Sequence, residues 1–117
     1  MSNLYLKSNK TMDLSKKRCK PCEGGIPPLT KKEVAEYKKH IKNDWNIHGN
    51  KIIKEYAFVN YKQTMDFVNK VAHLAEEEGH HPDMHVYYGK VVIELWTHAI
   101  SGLSENDFIL ASKIDKL

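Results

Sequence analysis

The residues best suited to chemistry lie in the stretch EEEGHHP, residues 76–82, and at His98 beyond it. Histidine is the side chain that most readily gives and takes protons near neutral pH. His80 and His81 follow the predicted end of a helix, and His98 closes a predicted strand. We therefore predict an acid–base site built from three imidazoles.

Neighbouring residues supply the support that such a site needs. The C-terminal end of a helix favours a protonated imidazole, and Glu76 lies one helical turn before His80. Pro82 restricts the backbone of His81. Asp107, in the first turn of a later predicted helix, could orient a histidine or cap its own helix.

The sequence has no serine elbow, no phosphate loop and no cysteine next to a histidine. What remains is proton transfer, such as the elimination of water. Two alternatives stay open. Adjacent histidines on a loop are often only polar surface, and His80, His81, His85 and His98 could hold a metal. No paired spacing on one helix or strand favours the metal, so no metal is predicted.

The composition is that of one soluble domain: 117 residues, of which 41% are hydrophobic and 28% charged. No apolar run approaches a membrane span, and the N-terminus lacks the apolar stretch of a secretory signal. We therefore expect a cytoplasmic protein with no membrane partner.

Positive charge is concentrated at the N-terminus. Residues 1–20 hold six basic residues against Asp13 alone, a net charge of +5, so the remainder carries −2 of the total +3. We predict a disordered basic leader at residues 1–18, a single domain at 19–117, and no nucleic-acid partner. Cys19 and Cys22 form a Cys-x-x-Cys pair, which cannot close a tetrahedral zinc site alone. A Gly/Pro-rich loop follows it, so structural or incidental thiols are expected.

Three helices and four strands are predicted from capping residues and alternation. The helices are expected at residues 31–42, 61–78 and about 105–116, with N-caps Thr30, Asn60 and Ser104 and a stop at Gly79. The strands are expected at residues 45–47, 51–59, 84–87 and 91–97. The order α-β-β-α-β-β-α predicts an α+β fold, a four-stranded antiparallel sheet with three helices packed on one face. The bare face and the sheet edge favour self-association.

The histidine pattern resembles that of the pterin-4a-carbinolamine dehydratase family, whose animal members are also called the dimerisation cofactor of a homeodomain transcription factor. The matching positions are Glu76, His80, His81, Pro82, Tyr88, His98 and Asp107. Residues 102–108 and the leader from Cys19 to Gly25 are also similar to the family. The resemblance covers about residues 19–115.

This resemblance implies a reaction. A 4a-hydroxytetrahydropterin, left by a phenylalanine-type hydroxylase, loses water to give the quinonoid dihydropterin in tetrahydrobiopterin recycling. It implies that His80 and His98 are general acids on the two faces of the pterin, and that His81 is the base and a substrate contact. Supporting or substrate-binding positions would be Glu76, Pro82, Tyr88 and Asp107. No metal or organic cofactor is implied.

The resemblance further implies the same four-stranded fold and a homodimer or homotetramer. Two other functions stay open: a non-catalytic binding module of the transcriptional-cofactor type, and a role in another pterin pathway.

Overall fold

The computed structural model describes residues 12–22 and 24–117, which fold into three α-helices and four β-strands. The helices are α1 (Lys31–Lys38), α2 (Tyr61–Glu78) and α3 (Glu105–Ile114). The strands are β1 (Asn46–His48), β2 (Lys51–Ala57), β3 (Asp83–Val86) and β4 (Lys90–Leu95). Short 3₁₀ turns lie at Leu14–Lys16 and His98–Ile100.

The strands form one antiparallel sheet in the order β1-β2-β4-β3. Along β4, Val91, Ile93 and Leu95 are buried, and the residues between them are half-buried. The buried side chains join a core that includes Phe67 of α2 and Phe108 of α3. The predicted α+β fold and element order are therefore confirmed.

The helix caps behave as predicted. Thr30 and Glu33 form a reciprocal capping box at the start of α1, and the Asn60 side chain accepts from the backbone N of Gln63 at 2.8 Å. Gly79 ends α2 with a φ of +64°, a left-handed conformation that costs glycine little.

Two element ends differ from the prediction. Helix α1 stops at Lys38, because the next backbone N–H groups bond three residues back instead of four, as from His40 to Tyr37. Strand β4 stops at Leu95, so His98 does not close the strand but begins a 3₁₀ turn. The backbone N of Thr97 bonds to Gly102, which turns the chain away from the sheet.

Residues 12–22, here called the N-terminal arm, pack against the domain. Leu14 is 0% exposed and belongs to the core, and Lys17 forms a 2.7 Å ion pair with Glu105 of α3. Residues 12–18 therefore differ from the expectation of a disordered leader, because the buried leucine, the ion pair of Lys17 and the turn capped by Asp13 together hold the segment. Residues 1–11 lie outside the described residues.

Within the described residues, no helix combines the length and the apolar character needed to cross a bilayer.

Candidate active site

The end of α2 places the first histidine. Gly79 turns the chain out of the helix, and the backbone N of His80 then bonds to the carbonyl of Ala75 at 3.2 Å. The His80 ring lies mostly buried, with Nε2 2.6 Å from Oδ1 of Asp107.

Asp107 performs both of the roles considered for it. While Oδ1 contacts His80, Oδ2 accepts from the Thr97 hydroxyl at 2.8 Å and from the backbone N of Ser104 at 3.0 Å. The second of these bonds caps α3. The carboxylate is fully buried, so its bonds set the orientation of the His80 ring.

The second histidine, His81, pairs with Glu76, which was expected to lie beside His80. Nε2 of His81 lies 2.5 Å from Oε2 of Glu76, and the two side chains are 60% and 77% exposed. The expected approach of Glu76 to His80 is wrong, because the left-handed Gly79 interrupts the helical spacing before His80 is reached.

The third histidine lies over an aromatic ring. His98 stacks on Trp96 with centroids 4.0 Å apart and planes at 28°. Its Nε2 is 3.8 Å from Oδ2 of Asp83, which also accepts from the Trp96 indole N–H at 3.0 Å. Asp83 is not among the site residues predicted from the sequence. Strand β3 begins at Asp83, one residue earlier than predicted, and Asp83 pairs with Glu94 of β4. A strand predicted from residue 83 would have placed Asp83 near the His98 ring.

The three histidines line one cleft of about 290 Å³. This volume is near the lower end of the roughly 300–1,000 Å³ typical of small-molecule sites. The other lining residues among those described are Lys20, Cys22, Gly79, Thr97, Ala99 and Asn106. His80 and His81 each hold Nε2 within hydrogen-bond distance of a carboxylate, which leaves Nδ1 as the ring nitrogen for a ligand. Nε2 of His98 lies 3.8 Å from Asp83, too far for a hydrogen bond. Such a cleft is suited to moving protons on a small heterocycle.

Four predicted positions do not line the cleft. Glu76 and Asp107 bond to its histidines, whereas Tyr88 and Pro82 do not. Tyr88, in the turn between β3 and β4, is 69% exposed and stacks on Tyr61 with centroids 6.1 Å apart. Pro82 is half-buried between α2 and β3 and is not among the cleft-lining residues.

The cysteine pair is unbonded, with Cys19 and Cys22 both free thiols. Burial, together with the charge of Glu78, raises the pKa of Cys19 to about 12, which makes it a poor nucleophile. Across residues 12–22 and 24–117, no three histidine, cysteine or acidic side chains are grouped to hold a metal ion.

A family model described as pterin 4 alpha carbinolamine dehydratase matches residues 27–117. The chain belongs to this family. A protein of Nitrosospira multiformis, provisionally named as a pterin-4-alpha-carbinolamine dehydratase, is 53% identical over 90% of this chain and 92% of its own. One of Nitrosomonas eutropha with the same provisional name is 51% identical over 90% of this chain and 93% of its own.

Two solved structures are similar. A transcriptional coactivator/pterin dehydratase from Brucella melitensis has a TM-score of 0.70 and 27% identity, covering 76% of this chain and 96% of its own. A pterin dehydratase-like protein described as a RuBisCO assembly factor in the alpha-carboxysome has a TM-score of 0.55 and 29% identity, covering 62% and 87%.

Proposed function

We propose that this chain dehydrates a 4a-hydroxytetrahydropterin by histidine acid–base catalysis. An acid protonates the 4a-hydroxyl, the C4a–O bond breaks, and water leaves. A base removes the proton from N5, whose electron pair closes the C4a=N5 double bond of the quinonoid dihydropterin. Proton count and charge balance, and no oxidant or reductant is required.

The observation that carries this proposal is the cleft lined by three imidazoles, two of which are hydrogen-bonded to a carboxylate. Nε2 of His80 faces Asp107, and Nε2 of His81 faces Glu76. A carboxylate on one ring nitrogen keeps a proton there, so the other nitrogen can accept or return one.

We assign roles by position and exposure. His80 and His98 enter the cleft from different elements, the end of α2 and the 3₁₀ turn after β4. As the family resemblance implies, they are proposed as acids, one for each face of the pterin. His81 is proposed as the base and a substrate contact, because its exposed ring can return the proton to water after each turnover. No metal or organic cofactor is part of this proposal.

We place the reaction in tetrahydrobiopterin recycling in the cytoplasm, after an aromatic amino acid hydroxylase. The chain is proposed to act as a homodimer or homotetramer. The sheet face opposite the helices carries half-buried Val92 and Trp96, and a second copy could cover it.

The test is the rate at which purified protein removes the absorbance of a 4a-hydroxytetrahydropterin generated in situ. We expect wild type to accelerate its loss, and His81→Ala to lower kcat by about a hundred- to ten-thousand-fold. His73→Ala is the matched control, since His73 is an exposed histidine of α2 that pairs with Glu77. Full activity in His81→Ala would remove the base from this mechanism.

A binding module is the second candidate, favoured because one similar protein is described as a transcriptional coactivator and the other as a RuBisCO assembly factor. In this chain Val59, Tyr61, Tyr87 and Tyr88 are exposed, and the last two belong to the β3–β4 turn, away from the cleft. A folded wild-type protein that does not accelerate the dehydration would favour this candidate.

A further inference from the structure

The C-terminal end of the N-terminal arm reaches the candidate active site. Lys20 and Cys22 both line the cleft that holds the three histidines. The family match begins only at residue 27. One wall of the cleft therefore comes from a segment upstream of the matched domain.

Asn106 holds the backbone of the arm at this wall. Its Oδ1 accepts from the backbone N of Lys20 at 2.9 Å, and its Nδ2 donates to the backbone O of Lys20 at 2.6 Å. Asn106 is buried, and a side-chain amide satisfies both polar groups of a residue at once, much as a neighbouring strand does.

Further contacts bind the arm to the two helix ends that place the site. The backbone N of Cys19 donates to Oε1 of Glu78 at 2.9 Å, in the last turn of α2. The Lys17–Glu105 ion pair lies in the first turn of α3. The same helix ends position His80 and Asp107, so the arm and the proton-transfer residues share one support.

We propose that the N-terminal arm is part of the active site. Lys20 contacts the substrate, and its ammonium donates to an oxygen acceptor of the pterin, such as the ring carbonyl. Asn106 is the positioning residue that holds Lys20 there. Lys20 is the only lysine or arginine among the described lining residues, and an ammonium group offers three hydrogen-bond donors and no acceptor. The identity of the ligand rests on the proposed function.

The test is a double-mutant cycle in the full-length chain with Lys20→Met, Asn106→Ala and both together. Each single substitution is expected to raise KM about three- to tenfold, the loss of roughly one hydrogen bond, with kcat within about twofold. The KM of the double variant should be no higher than the higher of the two single-variant KM values, because Asn106 acts through Lys20. Lys20→Arg should restore much of the KM.

Lys16→Met is the matched control, since Lys16 is exposed on the same arm and does not line the cleft. Additive losses, or an Asn106→Ala effect confined to kcat, would refute the positioning role. If Asn106→Ala fails to fold, Lys20→Met and its rescue by Lys20→Arg still decide whether Lys20 contacts substrate.

Binding of a dihydropterin without a 4a-hydroxyl separates this inference from the proposed reaction. Its Kd, measured by fluorescence quenching, should rise in Lys20→Met by the same factor as KM. If wild type turns over and Lys20→Met has the same KM and Kd as wild type, the proposed role of the arm is overturned and the proposed reaction is not. Binding of the dihydropterin without turnover would overturn the proposed reaction. The Kd values of the same variants would still show whether the N-terminal arm contacts the ligand.

Discussion

Nε2 of His80 and Oδ1 of Asp107 lie 2.6 Å apart across the gap between α2 and α3. The second carboxylate oxygen is held by Thr97 and Ser104. With both oxygens bonded and the group fully buried, the carboxylate cannot rotate away from the imidazole. His80 is thus presented to the cleft in one orientation, with its Nε2 facing Asp107.

Asp107→Asn should lower kcat by about a hundredfold or more, because an amide can offer either a donor or an acceptor to His80 and no longer selects its tautomer. Steady-state kinetics and a thermal melt measure the effect on rate and on stability. Asp66→Asn, an exposed carboxylate of α2 paired with Lys62, is the control. A lower melting temperature with full kcat would mean that Asp107 is only a helix cap.

Glu76→Gln should lower kcat by about tenfold, which corresponds to the loss of one charge-assisted hydrogen bond to His81. Stability should stay within about 0.5 kcal/mol, because an exposed pair contributes little to folding. Kinetics and urea unfolding measure the two quantities. Glu77→Gln, the next residue along α2, should change neither; a loss of rate there would point to general charge and not to the pair.

Local features of the fold could be predicted from the sequence. The Thr30 capping box, the Gly79 stop and the alternation along β4 each involve residues within a few positions of one another. Such interactions depend on spacing alone, so the elements and their order followed from the pattern. The grouping of three histidines also followed, since the elements that carry them pack together.

Contacts between distant residues could not be predicted. Which carboxylate meets which histidine depends on how the backbone leaves Gly79, which a helical spacing rule does not describe. Leu14 has no periodic partner in the sequence, so its burial was missed. Lys54 is buried because Asp44, from the loop before β1, and Asp115, from the end of α3, reach its ammonium at 3.0 and 2.6 Å.

Leu14→Ala should destabilise the protein by about 2–5 kcal/mol, the usual cost of truncating a fully buried leucine. The free energy of unfolding from guanidinium denaturation measures it. Met12→Ala, an exposed position two residues earlier, should cost less than about 0.5 kcal/mol. Equal, small effects at both positions would show that residues 12–18 do not pack on the domain in solution.

Glu78 links the arm to both helices. Its side chain is 5% exposed, and it contacts the backbone N of Cys19, the ammonium of Lys113 and the guanidinium of Arg18. Burial by itself raises the pKa of this carboxyl, but the bond from Cys19 and the charges of Lys113 and Arg18 outweigh it and hold the pKa below its ordinary value of 4.5.

Glu78→Gln should therefore lower stability in a pH-dependent way. A depressed pKa in the folded state stabilises it at any pH above the unfolded value, and that contribution is lost as the pH falls through the folded value. The variant should cost about 1.5–3 kcal/mol near pH 7 and less at an acidic pH below the folded pKa, where wild type is itself protonated. Urea unfolding at both pH values measures the difference, with Glu77→Gln as the exposed control. A cost that is the same at both pH values would show that Glu78 acts through packing and not through its charge.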